Sequence, residues 1–418
     1  MSENIIVGLD VGSHAVRMAA GEIVRTGEKE QLHLLGAVEV PSFGIKRGTV
    51  SNIEDVVSSI SACRERLERL LGAQIENIYT SINSIELLCQ ESKGLVGVSR
   101  TNGEIEQDDV DRALEQAQTI ATPSNYEILQ VLPKGYSVDG QPNIKDPLGM
   151  TGIRLEVDTL LLQVPLTHLK NLTKCTHRTG LNINDVVLGV LANAETLLTP
   201  RQKDVGAAVI NLGASTTSVA VYEEGDLLKI FILPLGADYI TQDINLCFKI
   251  SLDVAEKIKI KYGVASPKGV SKKEEINLAD EGFNGEETVS RRALAEIIEA
   301  RVEEIFSKVN DELKVMGRAG LLPAGVVLCG GGAKLQGIVD VAKKELKLPV
   351  ALSCPLNVSS VSEKIGDPAY ATAISLVKWG SEDQIYSTSS IKGIFKGLKI
   401  LIEKSQGVVK DNFKSIWK

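Results

Sequence analysis

Two stretches of this chain, separated by nearly half its length, follow a single pattern. Near the start runs Ile6-Val7-Gly8-Leu9-Asp10-Val11-Gly12-Ser13, and far downstream Val209-Ile210-Asn211-Leu212-Gly213-Ala214-Ser215-Thr216-Thr217. Each is an apolar β run, an Asp or Asn, one more apolar residue, and then a glycine turn with a hydroxyl residue close behind. The alternating segments Val16-Arg17-Met18-Ala19 and Ser218-Val219-Ala220-Val221 then lead away as the second strand of a hairpin would. A glycine turn leaves backbone N–H groups pointing outward, where they can hold phosphate oxygens. Two such turns facing each other across a cleft would grip a nucleotide tail from both sides, so the pattern predicts a two-lobed phosphate clamp.

A third element supports this reading. Val326-Val327-Leu328-Cys329 runs into Gly330-Gly331-Gly332-Ala333, and a helix is expected from about Lys334. The glycines would let a flat ring approach the backbone, and a helix N-terminus favours anions. The order hairpin, hairpin, strand–Gly-Gly-Gly–helix resembles that of the actin, Hsp70 and sugar-kinase superfamily.

Other elements follow from periodicity. Helices are expected at Ile53–Leu71, Asp108–Ala121, Thr167–Thr179, within Val186–Leu198, and at Arg291–Leu313. Strands are expected at Ile5–Asp10, Arg17–Ile23, Leu32–Val40, Ile78–Ile82 and Gly325–Cys329. Pro and Gly punctuate the stretch from about Ser84 to Val164, which reads as an inserted subdomain. The polar patch Ser266–Glu287 reads as an exposed loop or small subdomain, and Ser381–Ser390 as a linker.

The six cysteines are scattered without a CxxC pair, as expected for reduced, mostly buried thiols in a cytoplasmic protein. No run is long and apolar enough to span a bilayer. The net charge of −8 argues against nucleic acid as a partner. That charge is uneven: from Ile391 onward seven lysines stand against Glu403 and Asp411, on an otherwise acidic body.

Finer motifs select one family. Val98-Ser99-Arg100, Asp108-Asp109-Val110-Asp111-Arg112, Val138-Asp139-Gly140-Gln141 and Lys145-Asp146-Pro147-Leu148-Gly149-Met150-Thr151-Gly152-Ile153-Arg154 resemble the inserted subdomain of FtsA. FtsA is the bacterial actin-like family that tethers the division ring. Ala255-Glu256-Lys257-Ile258-Lys259 and Pro368-Ala369-Tyr370-Ala371-Thr372-Ala373 extend the likeness to about Gly380.

The resemblance implies an α/β, actin-like (ribonuclease H-like), two-lobed ATPase fold with an inserted α+β subdomain and a C-terminal amphipathic helix. It places 1–83, 167–205 and 357–380 in a first lobe and 84–166 in the insert. Residues 206–356 form the second lobe, with 264–305 a smaller subdomain, and 381–390 link to the membrane-binding segment 391–418. It implies ATP and Mg2+ as cofactors. Asp10 and Asn211 would serve the metal, and Gly12, Ser13, Gly213, Ala214, Thr216 and Thr217 the phosphates. Gly236, Glu256, Lys259, Gly330, Gly331 and Gly332 would border the nucleoside. Expected partners are the FtsZ C-terminal tail, held by Arg291 and Arg301, further copies of the chain in a filament, other division proteins, and anionic lipid. The expected location is peripheral, on the cytoplasmic face of the inner membrane.

Departures from the family pattern bear on turnover. Relatives usually carry Asp at the position of Asn211, many carry Gly at Ser215, and many have a carboxylate at Gly189. A neutral amide and a missing side chain weaken support for phosphoryl transfer more than for binding, so tight ATP binding with slow hydrolysis is expected.

At the C-terminus, Ile391, Ile394, Phe395, Leu398, Leu401 and Ile402 follow helical spacing, as do Val409, Phe413, Ile416 and Trp417. A basic amphipathic helix with a terminal Trp suits an anionic bilayer surface. Two rival functions share the fold: a pilus-assembly scaffold and a small-molecule kinase.

Overall fold

The computed structural model describes residues 5–388 except 27–28, 100–101, 120–121, 284–286 and 361–362. The amphipathic segment read at 391–418, with Phe395, Leu398, Phe413, Ile416 and Trp417, lies outside the described residues.

Each patterned stretch becomes the centre of a sheet. In the first sheet the order is Asn182–Leu188, Asn77–Ile82, Ile5–Val11, Ala15–Thr26, Lys29–Pro41 and Val358–Ser360. In the second it is Val350–Leu352, Gly325–Cys329, Ala207–Leu212, Thr217–Glu223 and Asp226–Leu233. The patterned strand in each is parallel to the neighbour on one side and antiparallel to its own hairpin partner on the other. The repeat seen in the sequence therefore extends to five strands with matching directions. Ile6–Leu9 and Ala207–Ile210 are buried throughout, as unbroken apolar runs in covered central strands should be.

The helix Ile53–Leu71 has the predicted bounds. The Asn52 side chain caps its first turn by accepting from the N–H groups of Glu54 and Asp55, and Gly72 closes it in the left-handed conformation. Val56, Ile60, Cys63 and Leu67 form its buried face.

The helix Ala371–Thr388 lies on the first sheet, and two glycines permit this. A Cβ at Gly8 would stand 2.3 Å from the Ala373 carbonyl oxygen, and one at Gly380 would stand 2.4 Å from the Tyr79 ring. The linker expected from Ser381 is thus corrected, because the helix continues to Thr388. Ser381 and Asp383 are used within the fold. Ser381 Oγ donates to the Lys378 carbonyl at 2.7 Å, and Asp383 accepts from Tyr79 Oη at 3.0 Å.

The insert is a separate four-stranded antiparallel sheet, ordered Leu88–Gly97, Arg154–Pro165, Tyr126–Val138 and Gln141–Ile144, and covered by the helix Gln107–Ala117. Its own core contains Ile105, Val110, Leu155 and Val157. In the second lobe, Arg291–Val315 is one helix of 25 residues whose buried positions from Leu294 to Leu313 join the lobe's main core, except Ala295, which packs with Val264 and Val270. The smaller subdomain read as ending at 305 thus stops in mid-helix, because the apolar stripe continues unbroken. Among the described residues no helix is long and apolar enough to cross a membrane. All six cysteines are free, with Cys63, Cys175 and Cys329 buried and Cys247 and Cys354 exposed.

Candidate functional site

The two glycine turns have the same geometry. Gly12 N–H donates to the Ala15 carbonyl at 3.1 Å and Gly213 N–H to the Thr216 carbonyl at 2.9 Å, each closing a two-residue loop. The ladders place Asp10 opposite Arg17 and Asn211 opposite Ser218. The loops meet at their tips, where Ser215 Oγ donates to Ser13 Oγ at 2.7 Å.

A cleft of about 810 Å³ opens over this junction, within the range of a cofactor site. Asp10, Gly12, Ser13, Asn211, Gly213, Ala214, Thr216, Glu256, Lys259, Gly330, Gly331 and Gly332 all line it. Residues up to 322 positions apart, from Asp10 to Gly332, thus converge on one wall system.

Two residues expected to contact the ligand are placed elsewhere. Strand alternation buries Thr217, and its Oγ1 donates to the Leu235 carbonyl at 2.7 Å. Gly236 is outside the lining because it packs beneath the second turn. A Cβ there would stand 2.3 Å from the Ala214 carbonyl oxygen. That close approach lets the N–H groups of Ala237 and Asp238 donate to the carbonyls of Gly213 and Ala214, at 3.0 and 2.8 Å. These first N–H groups of the helix Ala237–Phe248 therefore hold the turn instead of facing the cleft.

The three glycines have different roles. Gly330 has φ +90°, and a Cβ on it would meet Asn211 Oδ1 at 2.3 Å and the Leu212 carbonyl oxygen at 2.4 Å. A Cβ on Gly332 would meet Leu212 Cγ at 2.5 Å, whereas Gly331 faces open space. The helix expected near Lys334 begins at Ile338 instead, after a 3-10 turn over Gly331–Lys334 and after Gly337 at φ +81°. Its dipole is accordingly further from the glycines than the sequence suggests.

Asp10 is 9 % exposed and accepts from Ser81 Oγ at 2.7 Å. Burial pushes its carboxyl above the usual range, and the Ser81 hydroxyl and the Arg17 guanidinium only partly oppose this. Glu256 and Lys259, one helical turn apart, form a pair at 2.6 Å rather than an open surface pair. Lys259 is buried and also donates to Thr241 Oγ1 at 2.9 Å, while Thr241 donates to Glu256. Burial pushes the Glu256 carboxyl up, but Lys259 and the Thr241 hydroxyl outweigh it and hold the group below its ordinary value. Asp238 beside them is raised by burial, against the opposing field of Lys259.

Asn211 is committed on both sides. Its Nδ2 donates to Thr372 Oγ1 at 3.1 Å, and its Oδ1 packs over Gly330. Thr372 opens the helix on the first lobe and accepts a second amide, Asn193 Nδ2, at 3.2 Å. Asn211 thus lines the cleft and also makes a hydrogen bond between the lobes. Among the described residues no cluster of three or more His, Cys, Asp or Glu could hold a metal by itself. Magnesium fits only as an ion arriving with phosphate oxygens and water, beside the buried Asp10 carboxylate.

Arg291 lines the cleft, where its Nε donates to the Tyr262 carbonyl at 3.1 Å and its Nη1 pairs with Glu274 at 2.7 Å. Arg301 grips both Asp243 oxygens at 2.6 and 2.8 Å and lies over the Tyr239 ring. It fastens the helix Ala237–Phe248 to the helix Arg291–Val315.

Sequence reasoning did not select His14, Asn83, Ser215 or Thr372 for the cleft. Thr372 and Ser215 lay inside quoted motifs, so their hydroxyls were a signal available to be read. Asn83 follows an ordinary strand and carries none.

Residues 208–375 match the family model described as cell division protein FtsA, and residues 86–163 match the model described as the SHS2 domain inserted in FtsA. The chain is 33 % identical to the cell division protein FtsA of Pseudomonas aeruginosa, over 92 % of this chain and 91 % of that protein. It is 34 % identical to the Bacillus subtilis protein of the same name, over 90 % of this chain and 84 % of the relative. Among solved structures it resembles a chain of the PilM–PilN type IV pilus biogenesis complex, with a TM-score of 0.64 and 16 % identity, covering 90 % and 98 %. It also resembles MreB5 of Spiroplasma citri bound to ADP, with a TM-score of 0.53 and 12 % identity, covering 93 % and 100 %. At those identities the structures show an actin-like fold and nothing of function.

Proposed function

This chain belongs to the FtsA family of cell division proteins, and on that premise we propose that it binds ATP with Mg2+ between its lobes. We further propose that it polymerises at the cytoplasmic face of the membrane and tethers FtsZ filaments there. The observation that carries the nucleotide reading is the pair of matching glycine turns, joined tip to tip in one cleft that Asp10 also lines. Gly12, Ser13, Gly213, Ala214 and Thr216 would hold phosphates, and Glu256 and Lys259 the nucleoside. The ion would supply charge neutralisation for the phosphate tail.

Calorimetric titration of the full chain with Mg2+ and ATP tests this reading. Micromolar or tighter binding is expected, weakened at least ~30-fold by Asp10→Ala, which corresponds to about 2 kcal/mol. Unchanged affinity in that variant would remove Asp10 from the site. Membrane binding is assigned to 391–418. A chain ending at Thr388 should no longer sediment with anionic liposomes, and equal sedimentation would refute that assignment. For the FtsZ tail, Arg301→Ala should weaken peptide binding. Because Arg301 also holds Asp243, thermal stability must be measured alongside.

The small-molecule kinase reading has no support in the family matches. A pilus scaffold shares the fold, but the inserted subdomain matches the model described for FtsA.

A further inference from the structure

The cleft continues beyond the Glu256–Lys259 pair. On the helix Leu252–Tyr262, Glu256, Lys259 and Ile260 share one face at spacings of three and four residues, and all three line the cleft. Ile260 stands about 6 Å further along the axis than Glu256. It is 69 % exposed, an apolar side chain left open in a cleft that Gly331 and Leu335 also line. Nothing lies within 4 Å of a Cβ built on Gly331, so a flat ring has room there.

Gln336 is fixed at this end by its backbone. Its carbonyl accepts from the Ala265 N–H at 2.8 Å, and it pairs with Val264 in a parallel bridge, so it sits just past the end of that helix. Gly337, at φ +81°, then turns the chain away. The Gln336 side chain is exposed, lines the cleft, and has no hydrogen-bond partner among the described residues. The cations beside it are already committed. Lys261 pairs with Glu281 at 2.6 Å, and Arg291 with Glu274 at 2.7 Å. Gln336 therefore offers this end of the cleft an uncommitted amide, one donor and one acceptor side by side.

We propose that Gln336 is the residue that selects the base of the bound nucleotide. The inference rests on the ATP-binding reading and deepens it. With the phosphates in the glycine turns and the ribose at Glu256 and Lys259, the base reaches Ile260, whose apolar side chain covers one ring face. Gln336 Oε1 then accepts from the adenine N6 amino group, and Nε2 donates to N7. A side-chain amide matches that edge of adenine with two hydrogen bonds. Guanine presents two acceptors there, O6 and N7, which suit an arginine and leave the amide oxygen facing an acceptor.

The test is calorimetric affinity of the full chain for ATP, GTP and 7-deaza-ATP with Mg2+, repeated on Gln336→Leu and Gln336→Arg. The parent should bind GTP and 7-deaza-ATP at least ~5-fold more weakly than ATP, the equivalent of one lost hydrogen bond. In Gln336→Leu the three nucleotides should bind within ~2-fold of one another, at the weaker level. In Gln336→Arg the ratio of GTP to ATP affinity should rise at least ~10-fold over the parent. Ratios taken within one variant cancel any loss of folded protein. Equal affinity of the parent for ATP and 7-deaza-ATP overturns the proposal, and so does a parental ATP-to-GTP ratio in Gln336→Leu. Failure of the unchanged chain to bind any of the three overturns the nucleotide reading itself, and this inference with it.

Discussion

The two hairpins share a backbone and differ in the charge of one residue. In the first, Asp10 is a buried acid held by a single hydroxyl, with its carboxyl pushed up by desolvation. In the second, Asn211 occupies the same register position but is neutral, and its amide reaches across to Thr372 of the other lobe. An aspartate at 211 would have no N–H to give Thr372. One hairpin thus keeps a costly buried acid, while the other uses the equivalent position to hold the lobes together. Duplicated scaffolds need not duplicate chemistry.

Substitutions at the junction can break this comparison. The largest effect is expected from Gly330→Ala, where the positive φ and contacts of 2.3 and 2.4 Å would force the strand end and Asn211 apart. Chemical denaturation should show a loss of about 3 kcal/mol or more, whereas Gly331→Ala, facing open space, should lose under about 1. Thr372→Val keeps the shape but removes the acceptor of two amides, and a loss of about 2 kcal/mol is expected.

Asp10→Asn should stabilise the fold in a pH-dependent way. A folded pKa above the unfolded one gives stability that is present in acid and lost as pH rises through the raised value. The variant escapes that loss, so its gain in melting temperature over the parent should grow from about pH 4 to about pH 7. An equal gain at both ends would mean that the Asp10 charge carries no penalty. The smallest effect is expected from Ser215→Ala, which removes the tip-to-tip bond for about 1 kcal/mol and should loosen ATP binding less than Asp10→Ala does.

Legibility in the sequence depended on whether a signal was local. The Ile53–Leu71 helix and the Gly325–Cys329 strand were read to the residue because cap, stripe and turn all lie within the segment. The segment from Ser381 was misread as a linker because Asp383 finds its partner in Tyr79, 304 positions away in the chain. The family resemblance assigned Thr217 to the phosphates and Gly236 to the nucleoside, yet the hydroxyl of the first turns to Leu235 and the second serves packing. Arg291 and Arg301 looked like surface cations, and only the positions of Glu274 and Asp243 reveal what they hold.

The sequence by itself determined the two strand–glycine–hairpin units, their place in an actin-like family and the acid at Asp10, because residue type and short-range spacing control turns and burial. Tertiary structure alone decided which of those residues face the cleft, that Asn211 donates to Thr372 of the other lobe, and that Asn83 Oδ1 has no partner among the described residues. Those outcomes depend on distances between segments far apart in the chain, and no local pattern encodes such distances.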